Sequence, residues 1–126
     1  MPYNVWFEAL LGIDLNAAFG TQRNHYDRFV HLCYGVCFAL PLRDILTEKT
    51  TLRGAWASLV AWSLILSTSM LYELMEWLGA GVLGNGGTAF VGAQGDAWDA
   101  QKDMAWAAGG SLLVLVCRGR AFKRLA

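Results

Sequence analysis

The sequence predicts an all-α fold: an integral membrane helical bundle of three transmembrane helices plus an N-terminal interfacial helix. Three observations carry this. Of the 126 residues, 56% are apolar and 16% charged, against about 45–50% and about 25% in average soluble domains. The run from Gly54 to Tyr72 is nineteen residues without a charge, close to the ~20 that cross a bilayer. Two further charge-free runs of fourteen residues, Phe29 to Leu42 and Met104 to Cys117, flank it. The length allows one membrane domain over residues 1–126. A formal net charge of +0 excludes a nucleic-acid binder, which needs a basic excess. Six Trp, six Phe and four Tyr exclude a disordered coil.

The elements follow in order. Segment 3–19 is apolar but interrupted by Asn4, Glu8, Asp14 and Asn16, which reads as an interfacial helix. It is no signal peptide, because no basic residue precedes it. Fourteen helical residues cover only ~21 Å of a ~30 Å core. The two flanking runs must therefore extend through charged residues, to about 27–46 and 98–118, with the middle span at about 55–78. Pro41 falls inside the first span, where neighbouring helices tolerate it. The alternative is a small soluble three-helix domain. Its difficulty is that the middle run has no polar face to offer water. Cys33, Cys37 and Cys117 form no paired framework, and Cys33 and Cys37, four apart in an apolar run, read as small core hydrophobes.

Basic residues orient the spans. Arg43, Lys49 and Arg53 in the first loop share a side with Arg118, Arg120, Lys123 and Arg124 in the tail. Only Arg23, Arg28 and Lys102 lie on the other side. Seven against three places the loop and the C-terminus in the cytoplasm and the N-terminal segment outside. With this direction, charged residues on all three spans fall at the outer end. Asp27 and His31 are four apart on the first span; Glu73 and Glu76 are three apart on the second. Asp96, Asp99 and Asp103 follow at three and four on the third. Each spacing puts its residues on one helix face.

A charge in a bilayer costs at least ~2.5–3.5 kcal/mol, so it persists when paired, hydrated or bound to a cation. Six carboxylates meet Arg28, Lys102, Arg23, His25 and His31. Imidazole and carboxylate are metal ligands, so a divalent metal ion is the expected cofactor. Its ligands would be His31, Glu73, Glu76, Asp99 and Asp103. Asp27, Arg28, Asp96 and Gln101 form the supporting polar cluster. Blander roles stand beside these. His31 is held by Asp27 of its own helix, Glu73 and Glu76 pair with Arg28 or Lys102, and Asp96 caps the third helix. Asp103, a turn deeper, is the hardest to explain as a cap. Ala107, Gly110 and Ser111 on its face let a neighbouring helix approach closely. Seven Gly lie between Gly79 and Gly95, in a stretch read as a lid over the acidic cluster or as a plain connection. No GxxxxGK[ST], GxSxG, HExxH or CxxC motif is present.

The strings NHYDRFVHLCYG, PLRD, LYELMEW and GAQGDAWDAQKDMAWAAGG resemble the YjdF-like bacterial inner-membrane family, domain of unknown function 2238. The resemblance runs from about Pro2 to about residue 117. More distantly, D-x3-H, then Glu on a second helix, then Asp before a Gly-rich helix is similar to VanZ-type membrane proteins. The resemblance implies a multi-pass bacterial inner-membrane protein without an assigned activity. Its motif residues here are Asn24, His25, Tyr26, Asp27, Arg28, His31, Arg43, Tyr72, Glu73, Glu76, Trp77, Gln94, Gly95, Asp96, Trp98, Asp99, Gln101 and Asp103. Asp44 stands where the family tends to have Glu, and the family usually has further helices before the point matching Met1. The chain is accordingly expected to be a short form or a late start.

Three functional expectations result. The first is a divalent cation bound at the outer acidic cluster and used on a lipid or envelope substrate. The second is a non-enzymatic small subunit or scaffold with a structural ion-pair network, its partners being the bilayer and other membrane subunits or further copies of itself. The third, proton or ion translocation, requires more helices or an oligomer around the cluster.

Overall fold

The computed structural model describes residues 8–12, 26–83 and 96–125. Three long helices dominate: α1 (Tyr26–Lys49), α2 (Gly54–Leu83) and α3 (Asp99–Leu125). No strand occurs among the described residues. The helices outrun the expected spans at several ends. Backbone hydrogen bonding, rather than bilayer thickness, sets where a helix stops. Thus α2 runs through Gly79 and Gly81, so the glycine-rich stretch does not begin as a loop. Its remainder, 84–95, lies outside the described residues. Most of the expected interfacial helix 3–19 also lies outside them. Residues 8–11 are helical, and Gly12, at φ 65°, donates its N–H to the Glu8 carbonyl at 2.9 Å. That left-handed glycine closes the short helical turn.

The α1–α2 connection is tight. Thr50 donates through both its N–H and its hydroxyl to the Leu46 carbonyl, and accepts the Leu52 N–H on its hydroxyl. Gly54 then opens α2 at φ 57°, a conformation that favours glycine. Within α2, Ser63, Ser67 and Thr68 return their hydroxyls to the carbonyls of Leu59, Ser63 and Leu64. Their polarity is satisfied inside the helix, as an apolar surround requires.

Two of the three helices, over Tyr26–Lys49 and Gly54–Val82, are long and apolar enough to cross a membrane. α3 has a charge-free run of only fourteen residues, between Asp103 and Arg118. The bundle packs most extensively between α1 and α3. Gly35 lies directly on the backbone of Ala107 and Ser111, and Gly110 on the Leu32 carbonyl. The small residues expected to admit a neighbouring helix do so. Ala39, Ile65, Ala107 and Leu115 form the centre, with Tyr34, Trp62 and Val114 packed around it. The Trp62 indole donates to the Ala108 carbonyl at 3.1 Å, which ties α2 to α3. Outward, the surface is apolar. Trp56 is 69% exposed, Trp77 73% and Leu113 62%, a surface that water would not tolerate but lipid covers. Cys37 and Cys117 belong to it, and only Cys33 is half-buried. The expected core role therefore fails for Cys37: with lipid outside, small apolar side chains face outward as readily as inward.

Candidate functional site

Antiparallel packing brings the start of α1, the last turns of α2 and the start of α3 to one end of the bundle. Among the described residues, four polar side chains are buried: His31, Ser69, Asp103 and Ser111. Ser111 bonds within its own helix. The other three, one from each helix, mark the polar end.

His31 stands between α1 and α2. Its Nδ1 lies 2.9 Å from Ser69 Oγ and its Nε2 3.0 Å from Glu73 Oε1. Tyr72 presents its ring edge-on to the imidazole, with centroids 5.6 Å apart. Both ring nitrogens are therefore directed to α2. The reading in which Asp27 of the same helix holds His31 is corrected. An i, i+4 spacing allows that contact, but the close packing of α2 supplies nearer partners. Glu73 consequently pairs with His31 and not with Arg28 or Lys102. Its Oε1 approach falls off the line of a hydrogen bond, leaving an ion-pair contact. Glu76 lies one turn beyond Tyr72 on the same face of α2.

Arg28 joins α1 to α3. Its Nη2 lies 3.3 Å from Asp96 Oδ2 and 4.0 Å from Asp99 Oδ1, and its Nε lies 3.9 Å from Asp103 Oδ1. Asp96 also accepts from Lys102 Nζ at 2.6 Å and, through Oδ1, from the Trp98 N–H at 3.0 Å. It organises the turn before α3, which agrees with the capping role. Asp103 differs. Its side chain is 4% exposed, and its Oδ1 accepts no hydrogen bond among the described residues.

Of the expected residues, the structure gathers His31, Glu73, Glu76, Asp99 and Asp103 with Asp27, Arg28 and Asp96 at this end. Gln101 is exposed, because two residues of helix rotate it away from the face of Asp99 and Asp103. His25 and Arg23 lie outside the described residues. Sequence reasoning missed Ser69. A signal existed: Ser69, Glu73 and Glu76 are spaced four and three apart, on one face of α2. Among the described residues, no group of three or more His, Cys, Asp or Glu side chains is arranged to hold a metal ion. They are engaged pairwise instead, His31 with Glu73 and Arg28 with the aspartates.

An apolar-surfaced helical bundle with a polar cluster at one end is the build of an integral membrane protein. The comparisons agree. The family model described as "Predicted membrane protein (DUF2238)" matches residues 1–124, and the chain belongs to this family. It is 35% identical over 111 residues to the inner membrane protein YjdF of Escherichia coli (strain K12). That match covers 87% of this chain and 53% of the relative, so the chain spans about half the relative's length. Neither match extends to VanZ-type proteins. No solved structure matches the chain.

Proposed function

We propose that the chain is a bacterial inner-membrane protein of three spans whose outer end binds a divalent cation at the His31, Glu73, Glu76, Asp99 and Asp103 cluster. The YjdF relative supports the inner membrane. The seven-to-three distribution of basic residues supports a cytoplasmic C-terminus and an outward-facing cluster. α3 spans by carrying Asp99 to Asp103 at one end and Arg118 at the other.

One observation carries the cation reading. Asp103 Oδ1 is buried, has no hydrogen bond among the described residues, and meets its ion-pair partner only at 3.9 Å. A buried carboxylate oxygen left in that state costs about 1–3 kcal/mol or more. Among the described residues six carboxylates share Arg28, Lys102 and His31, so a divalent ion offsets both the excess charge and the bare oxygen. Carboxylate and imidazole donors suit zinc or manganese. Binding requires Glu73 to turn from His31 toward Asp103. Metal analysis of the purified protein tests this. Stoichiometric metal, lost with chelator together with thermal stability, is expected. Absence of metal with stability unchanged by chelator or added ions overturns it.

A second reading has its own observation: Arg28 contacts three carboxylates of α3 at 3.3 to 4.0 Å. On this reading the cluster is a structural network in a scaffold or small subunit. Glu73→Gln and Asp103→Asn then reduce folding or assembly equally with and without metal.

A further inference from the structure

At the opposite end of the bundle lies a cavity of about 720 Å³, between the end of α1, the start of α2 and the last turns of α3. This volume is within the ~300–1,000 Å³ range of ligand sites. Its walls are apolar: Leu59, Trp62, Leu112, Leu115 and Val116. Leu59, Leu112 and Val116 are each 41–49% exposed, so the cavity opens sideways onto the surface that hydrocarbon covers. Its rim is basic, formed by Arg43, Arg53 and Arg118. Asp44 is the acid that pairs there, 3.5 Å from Arg43 Nη1 and 2.9 Å from Arg118 Nη1. The nearby Glu48 and Lys49 pair with each other. Among the described residues, three guanidiniums against one carboxylate leave two positive charges at the mouth of an apolar slot.

We infer that this cavity binds one anionic phospholipid, its acyl chain along Leu59, Trp62 and Leu115 and its phosphate on Arg43, Arg53 and Arg118. The pairing of charge with apolar lining selects this occupant. A soluble phosphate has no use for the slot, and a zwitterionic lipid does not neutralise the rim. Arginine suits a phosphate because its planar fork donates two parallel hydrogen bonds. Basic pockets between membrane helices hold acidic headgroups by the same physics. The site is separate from the acidic cluster and does not depend on the cation reading.

The test is native mass spectrometry of the full chain released from micelles containing equal phosphatidylglycerol and phosphatidylethanolamine. One retained phosphatidylglycerol is expected. The double variant R53Q/R118Q should lose that preference by about fivefold per arginine. Ala55→Phe, which places a ring in the cavity, should displace the lipid while leaving the rim charged. Thermal unfolding of each variant, with lipid absent, separates lost binding from lost folding. Equal retention of both lipids, an unchanged preference in both variants, or displacement by equimolar inorganic phosphate overturns the assignment.

Discussion

At the scale of single residues, the polar end depends on pairs that bridge helices. Ser69→Ala removes the partner of His31 Nδ1 at a buried position. Losing that bond should lower stability by about 1–2 kcal/mol, read as a fall in the denaturant midpoint with an unchanged slope. Asp103→Asn keeps the size of the side chain and removes its charge. On the cation reading it abolishes metal-dependent stabilisation, and without metal it changes stability little. A large loss of stability that is the same with and without metal favours the structural network. The candidate residues themselves were legible from spacing, because i, i+3 and i, i+4 positions share a face whatever the tertiary structure. Their partners were not. Whether His31 takes Asp27 or Ser69 depends on which helix packs nearest, and spacing along one helix carries no such information.

At the scale of elements, the α1–α3 interface is set by glycine. A Cβ on Gly110 would lie 2.7 Å from the Leu32 carbonyl oxygen, and one on Gly35 would meet the backbone of Ala107. Gly35→Ala and Gly110→Ala should each destabilise by about 1–3 kcal/mol, as overpacking does. Gly79→Ala, in open space within α2, should be neutral or stabilising by up to about 1 kcal/mol. Thermal unfolding of the three variants side by side checks the contrast; equal effects would contradict the close packing. The small residues Ala107, Gly110 and Ser111 announced this contact in advance. The helix ends were less legible. A charge-free run marks the segment that lipid surrounds, whereas α2 continues to Leu83 because backbone hydrogen bonds do not stop where the apolar run does.

At the scale of the whole molecule, the zero net charge is polarised. Arginines line the cavity at one end, and carboxylates collect at the other. The positive-inside distribution predicts a cytoplasmic C-terminus. A C-terminal fluorescent-protein fusion should therefore glow, and a periplasmic alkaline-phosphatase fusion at the same point should be inactive; the reverse pattern would invert the topology. The all-helical build was legible in the sequence because the apolar runs stay uncharged for fourteen to nineteen residues. The pairwise engagement of the cluster was not, because it depends on which side chains meet across helices. The claim most in need of a direct measurement is that the outer end holds a cation. Thermal unfolding of the purified protein across a zinc or manganese titration supplies it. Binding should raise stability progressively, by about 2.7 kcal/mol when free ion reaches a hundred times its dissociation constant, and Glu73→Gln should abolish the rise. A midpoint that does not move with either ion, or that moves equally in Glu73→Gln, would contradict the account.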